Sequence, residues 1–397
     1  MSVRKRSWTT ATGAEKTAWV VDYADAKGKR RLKTFQRKKE ADAFAATANV
    51  EVREGVHVAD SASATVAQAG DFWILTGEAA GLERTTIANY RSHVDQHIKP
   101  FIGELKLTAL SIPVVRSYED QLRAAGRSQV TIKKVMVSLG SLLADAQERG
   151  LVGRNVVRDM RGRRKGDRRQ EQRHKGRLKV GVDIPTREEL KAIVAALHGR
   201  WRPLLLTAIF TGLRASELRG LRWKDVDLDK REIRVHQRAD RFNAIGKPKS
   251  ISGERAVPAP PIVVNALREW KLVCPKGDLG LVFPNGSGKV EGLNNIVRRG
   301  LQPIQLKAGV TIATGEVDAE GKPILAAKYP GLHALRHFYA SWCINRKEDG
   351  GLGLPAKAVQ ERLGHSSIVM TMDVYGHLFP RGDDADELAA AENALLA

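Results

Sequence analysis

Between Arg154 and Lys179 the chain carries twelve Lys and Arg residues against Asp159, Asp167 and Glu171, with few apolar residues among them. A run of that make-up cannot build a core, so it reads as an exposed basic linker, and the folded parts must lie on either side of it. The run is the extreme of a general surplus. In a chain of 397 residues, 66 Lys and Arg face 45 Asp and Glu, a net charge of +21. Such a surplus points to a polyanionic partner, nucleic acid first, with a merely basic surface as the plainer alternative. At 42% apolar and 28% charged residues, the chain is not disordered as a whole. No stretch approaches the roughly 18 apolar residues of a membrane span, and no signal-peptide core follows the basic N-terminus, so a cytoplasmic protein without a membrane partner is expected. Cys274 and Cys343 alone make neither a disulfide framework nor a Cys-rich zinc site.

Ahead of the linker, residues 1–58 read as a unit of small sheet plus helix. Ala18 to Tyr23 and Arg31 to Phe35 read as two strands. Lys38 to Val52 reads as a helix with Ala41, Phe44, Ala45 and Ala48 on one face. Lys27, Lys29, Arg30, Arg31 and Lys33 cluster on the hairpin, and a two-stranded ribbon fits a DNA major groove; a solvated hairpin is the alternative. After a small, polar stretch at 58–64, residues 65–153 hold four helical patterns. The first is capped by Thr65 and buries Val66, Ala69, Phe72 and Trp73. The second is capped by Thr85 and stopped by Pro100. The third runs from about Pro113 to Ala125, and the fourth from about Ser128 to Arg149. Residues 154–182 are then the linker, 183–380 a third unit opening on a Thr186/Glu189 capping box, and 381–397 an acidic tail. In that tail, the DDAD run looks like a metal cluster in composition only.

Chemistry concentrates in the third unit. In FTGLRASELRGLRW, Gly212 can end one helix and Ser216 and Glu217 can start the next, which holds Arg214 rigidly between two helix ends. Lys247 and Lys249 lie in a polar turn between the strands Arg231–Gln237 and Arg255–Val257. His333 and Arg336 share a helix face at i and i+3, His365 follows in LGHSS, and Tyr375 stands in DVYGH. Each alone has a structural explanation. Together they are chemically coherent: a tyrosine can attack a phosphodiester, arginines can neutralise the charge on five-coordinate phosphorus, and histidine and lysine can move protons. A phenol of pKa near 10 is only about 0.1% ionised at neutral pH, so neighbouring cations and a base are needed. Trp201, Trp223 and Trp342 read as core residues, and Cys343 as a buried thiol.

TGLRASEL, the PKS turn with Arg255-Ala256-Val257-Pro258, HALRHFYAS, LGHSS and DVYGH, in that order, resemble the catalytic domain of the tyrosine recombinases, the phage-integrase family. The helical unit resembles the family's core-binding domain, and residues 1–58 its arm-site DNA-binding domain. The resemblance implies a multidomain α+β fold: a small β-sheet-plus-helix N-terminal domain, a four-helix core-binding domain and a mainly α catalytic domain with a small β-sheet. It implies that Tyr375 forms a 3′-phosphotyrosine, that Arg214 and Arg336 hold the phosphate, and that His333 takes the tyrosine proton. His365 would hydrogen-bond the phosphate. Lys249 would protonate the leaving 5′-oxygen, preferred over Lys247 for its distance to the Arg-x-Val-Pro segment. His337 and His377 receive no catalytic role from the family and read as packing or capping residues.

The activity so implied is site-specific recombination in a bacterial cell, integrating or excising a mobile element without ATP, metal or cofactor. The partners would be double-stranded DNA at core and arm sites, three further copies of the chain in a tetramer, and DNA-bending and directionality factors. An Xer-type resolvase of chromosome or plasmid dimers is the near alternative, weighed against by the extra N-terminal unit. A non-catalytic DNA binder and a relaxing topoisomerase are more distant ones. TGEVDAEGKPI, between Pro284 and Tyr329, reads as an inserted hairpin.

Overall fold

In the computed structural model, which describes residues 1–10, 15–25, 28–55, 57–161, 177–248, 250–380 and 385–397, the chain divides into the units Met1–Gly166 and Asp167–Ala397. The first unit opens with an antiparallel sheet of Ser2–Thr9, Glu15–Ala24 and Arg30–Phe35 in sequence order. The sequence reading missed Ser2–Thr9. Its side chains are almost all exposed, so no apolar alternation announces it. Helix Lys38–Arg53 covers the sheet, closing a small core of Val21, Tyr23 and Ala41 against Trp19, Phe35 and Phe44. Lys27 lies outside the described residues.

Helices Val66–Ala79, Arg84–His93, Ile112–Ala124 and Gln129–Glu148 follow. Thr65 caps the first in a reciprocal box with Gln68, and Ser111 and Ser128 cap the last two. Three expectations need correction. Thr85 is no cap: the helix starts one residue earlier, and the Thr85 hydroxyl donates to Glu83. Pro100 does not stop the second helix. A π turn over Val94–Ile98 intervenes, and Pro100 falls in the first turn of Lys99–Ile102, where its missing N–H is no loss. Phe72 is exposed, because the inward face is set by Val66, Ala69, Gly70, Trp73, Ile74 and Gly77. Trp73 instead stacks on Tyr90 at 4.0 Å, and Phe72 lies beneath the Arg149 guanidinium.

The first residues of the basic run are also folded. Val156–Arg161 is a helix whose Val156 and Val157 join the bundle's core, and the Asn155 side-chain amide donates to the Gly140 carbonyl at 2.7 Å. Residues 162–176 lie outside the described residues.

The second unit is built on helix Trp201–Thr211, apolar nearly all round and buried accordingly. Around it pack Arg187–Ala196, Pro261–Val273 and His333–Ile344. Val226–Asp227, Glu232–Val235 and Arg255–Pro258 form a small antiparallel sheet, with Ile233 paired to Val257. Thr186 and Glu189 form the capping box read from the sequence. The inserted segment is a hairpin of Thr311–Val317 and Pro323–Ala327. Trp201, Trp223 and Trp342 pack half-buried at the core's edge, and Cys343 is buried. His377 donates from Nε2 to the Leu178 carbonyl at 2.8 Å. No helix among the described residues is long and apolar enough to cross a membrane.

Gly212 ends the central helix in the left-handed region at φ 61°, and a Cβ there would lie 2.2 Å from a ring carbon of Tyr339. Gly212→Ala combines left-handed strain with overpacking and should destabilise the protein by about 2–4 kcal/mol. Urea unfolding measures this; an unchanged midpoint would count against the packing described.

Candidate active site

Three segments far apart in sequence deliver the charged groups. Arg214 is the N-cap of the short helix Ala215–Gly220, directly after the Gly212 turn. Its backbone N–H donates to Glu217 Oε2 and its Nη1 to Glu217 Oε1, both at 2.8 Å, while Nη2 donates to the Gly364 carbonyl at 3.0 Å. Arg336, only 2% exposed on helix His333–Ile344, donates to the carbonyls of Gly212 at 2.5 Å and Leu363 at 2.6 Å. Both arginines line a pocket of about 470 Å³ together with His333. This is room for a phosphodiester facing guanidiniums whose backbone bonds already fix them.

Glu217, 3% exposed, is the buried counter-charge. Arg255 donates to both its oxygens, at 3.2 and 2.9 Å, and to the Arg362 carbonyl at 2.8 Å. Burial alone would raise the Glu217 carboxyl, but the Arg255 bonds and the charges of Arg255 and Arg214 overcome it and hold it below its ordinary value. The sequence reading took Glu217 for a helix-start signal and quoted Arg255 only within a motif. The i, i+3 spacing of Arg214 and Glu217 was the available clue.

Tyr375 is the last residue of helix Ile368–Tyr375 and only 1% exposed. Its hydroxyl lies 2.7 Å from Nδ1 of His337. The His365 ring lies nearly parallel to the tyrosine ring, with centroids 6.2 Å apart, and its Nδ1 bonds the Thr371 hydroxyl at 3.0 Å. His333 is exposed and meets the His337 ring edge to face at 4.5 Å. Burial pushes Tyr375 up to about 12, and the charges of Arg336 and Arg214 only moderate that rise. His337 and His365 are each pushed down to about 4, by burial first and by Arg336 among their charged neighbours. His333 is lowered by the same two causes. At neutral pH the site therefore holds a neutral phenol and neutral imidazoles beside fixed cations.

Arg214, His333, Arg336, His365 and Tyr375 thus come together. Lys249 lies outside the described residues; Lys247 is exposed, and its carbonyl accepts from Arg238. His337, read from the sequence as packing, is the residue bonded to the tyrosine hydroxyl. Its place one turn after His333 and next to Arg336 was the signal.

A mainly helical unit with a small sheet, with two arginines and a histidine lining a phosphate-sized pocket and a buried tyrosine bonded to a histidine on the same helix as two of them, belongs to the class of enzymes that cleave and rejoin DNA strands. Residues 185–381 match the Phage integrase family, and the chain belongs to it as a tyrosine site-specific recombinase. It is 27% identical over 385 residues to a tyrosine recombinase XerC-like protein of Caldanaerobacter subterraneus subsp. tengcongensis, covering 90% of each chain. With the ICEBs1 integrase of Bacillus subtilis it is 23% identical over 300 residues, 74% of this chain and 73% of that one. In fold it is similar to the Tn1549 transposon integrase solved with transposon right end DNA, at TM-score 0.61 and 20% identity, over 84% of this chain and 100% of that one. It is also similar to a lambda integrase tetramer bound to a Holliday junction, at TM-score 0.55 and 16% identity, over 91% and 95%.

Glu217→Ala should cost about 3–5 kcal/mol, since it leaves the buried Arg255 guanidinium and the half-buried Arg214 without their counter-charge. The lowered carboxyl also fixes a pH dependence. Its contribution is fully present above the unfolded-state pKa of about 4.3 and is lost as pH falls through the lower folded value. Urea midpoints measured across that acid range should fall less steeply for Glu217→Gln than for the natural protein.

Proposed function

We propose that this recombinase is an integrase that inserts or excises a mobile element, with Tyr375 as nucleophile. The observation that carries the reading is the convergence of Arg214, His333 and Arg336 on one small pocket, with Tyr375 bonded to His337 on the helix of His333 and Arg336 and its ring parallel to that of His365. Arg214 and Arg336 hold the scissile phosphate, and their spare N–H groups meet the charge that builds on its oxygens. His365, held by Thr371, bonds the same phosphate, and His333 handles protons at the exposed side. Tyr375 attacks phosphorus, forming a 3′-phosphotyrosine and releasing a 5′-oxygen that Lys249 protonates. The 5′-hydroxyl of a second strand then reverses the step. One phosphodiester is exchanged for another, so the protein needs neither ATP nor metal.

Residues 1–58 act as the arm-site domain, 65–153 as the core-binding domain and 183–380 as the catalytic domain, with the basic segment 154–182 crossing phosphates. The basic composition and the DNA-bound neighbours support this. The lambda integrase tetramer on a Holliday junction supports action as a homotetramer on two duplexes. DNA-bending and directionality factors complete the assembly. Leu388, Leu395 and Leu396 of the tail helix Ala385–Leu396 are exposed, which supports docking of residues 381–397 on a neighbouring subunit. An Xer-type resolvase is the second reading, favoured by the XerC-like relative of similar extent. The cellular DNA captured by the enzyme separates the two: a fixed dimer-resolution locus for one, the junctions of a mobile element for the other.

When the protein is denatured from its own cell, covalently attached DNA should be found with the natural enzyme and absent with Tyr375→Phe, which should still bind DNA. An adduct in that variant would identify another nucleophile. Lys249→Ala should slow cleavage roughly 10²–10⁴-fold. A 5′-bridging phosphorothiolate, whose leaving group needs no proton, should restore it; failure to do so would turn attention to Lys247.

A further inference from the structure

Three imidazoles surround the tyrosine, and they stand to it differently. His365 lies flat against the ring with its Nδ1 engaged by Thr371. His333 is turned to solvent and touches His337, edge to face. His337 alone among the three has a ring nitrogen at hydrogen-bond distance from the hydroxyl, 2.7 Å. The other buried tyrosines vary: the Tyr23 hydroxyl lies 2.9 Å from Nε2 of His57, and two others donate to groups that are not imidazoles. Tyr118 donates to the His97 carbonyl at 2.7 Å, and Tyr329 donates to Glu189 at 2.6 Å. Tyr375 has an imidazole as Tyr23 does, in its case that of His337. That imidazole sits one residue from Arg336, which lines the phosphate pocket, so proton acceptor and phosphate ligand ride on one helix.

We propose that His337 is a catalytic residue, the group that takes the Tyr375 proton during attack on DNA and returns it during rejoining. The proposal rests on Tyr375 being the nucleophile. In the cleavage step the Oη–H bond breaks and its proton passes to Nδ1 of His337 as the Oη–P bond forms. The P–O5′ bond breaks, and the leaving 5′-oxygen takes its proton from the general acid assigned to Lys249. Rejoining runs the same bonds backward: the incoming 5′-hydroxyl gives its proton to the group assigned to Lys249 as its oxygen attacks phosphorus, the Oη–P bond breaks, and the proton on His337 returns to the phenol.

The acceptor must be unprotonated before attack. Burial, His333 and Arg336 all favour neutral His337, with Asp183 the opposing charge. A neutral imidazole in the Nε2–H form accepts at Nδ1 from the phenol. The bound phosphodiester then places negative charge beside Arg336 and His337, which favours the imidazolium at the moment the proton moves.

The test uses the full chain and a duplex of its own recombination site, identified by the covalent DNA capture described above, made with a normal or a 5′-bridging phosphorothiolate scissile bond. His337→Asn puts an amide oxygen near the place of Nδ1, able to accept a hydrogen bond but not a proton; His337→Ala removes both. Both variants should bind the duplex as the natural protein does and lose roughly 10²–10⁴-fold in single-turnover cleavage. The sulfur leaving group should not restore either, because the missing proton transfer is on the nucleophile's side. Added imidazole should speed His337→Ala. Natural-rate cleavage by His337→Ala would overturn the proposal, as would a full rate in His337→Asn, which would mean positioning only. Rescue by the phosphorothiolate would overturn it too, by moving the defect to the leaving group. If His337→Ala fails to fold, His337→Asn decides alone. An adduct formed by Tyr375→Phe on the same duplex would instead bring down the nucleophile assignment itself.

Discussion

The end of one short helix holds the site together. Helix Ala356–Leu363 leaves its last carbonyls without intrahelical partners, as every helix does. Here arginines supply them: Arg255 donates to Arg362, Arg336 to Leu363 and Arg214 to Gly364. The three guanidiniums come from a strand, a helix interior and a helix N-cap, and would repel one another if gathered in the open. The negative pole of the helix end and the Glu217 carboxylate offset that repulsion. Gly364 is part of the device. It sits in the left-handed region at φ 63°, and a Cβ there would come within 2.9 Å of Arg255 Nη1 and the Ser252 carbonyl. The donors are therefore in place before DNA arrives, which is what makes such an array useful at a transition state.

The same cations set the protonation of everything near them. They act with burial to keep the histidines neutral, and they fail to offset the burial of Tyr375. A free phenolate is thus disfavoured, and the anionic phosphate of bound DNA would disfavour it further. The same phosphate charge favours protonated histidine. Both tendencies work against ionising the tyrosine in advance and for moving its proton as phosphorus is attacked.

How much of this could be read from the sequence follows from where each signal resides. Gly212, the Thr186/Glu189 box and the Thr65 cap were legible because the residue type carries the local conformation. Arg214, His333, Arg336, His365 and Tyr375 were legible through spaced motifs, whereas Lys249 lies outside the described residues. Ser2–Thr9 was lost because an exposed strand has no apolar period. Val156–Arg161 was lost because composition averaged over a basic run hides two valines at its start. Pro100 is no helix stop because a π turn precedes it and places it in a new first turn, which the residue type alone does not reveal. Glu217 and Arg255 belong to contacts spanning 38 residues, and the bond between His337 and Tyr375 spans 38 as well. The fold alone sets such pairs; the sequence marks only the near neighbours, Arg214 three residues before Glu217 and Arg336 next to His337.

Tyr375 is held differently from the arginines and the histidine beside it. Arg336 and His337 belong to a helix buried along most of its length, and Arg214 is tied to Glu217 and a backbone carbonyl. Tyr375 ends an eight-residue helix on which only Thr371 and Tyr375 are buried, while Ile368, Val369, Met370 and Met372 are exposed. An element with so few buried contacts is the least costly one to displace. If Tyr375 attacks a phosphate held in the Arg214–Arg336 pocket, as proposed above, its hydroxyl must leave its sheath, and its own helix is the element least costly to move. The carbonyls that anchor Arg214 and Arg336, those of Gly364, Gly212 and Leu363, all lie outside that helix, so such a motion would not require them to move.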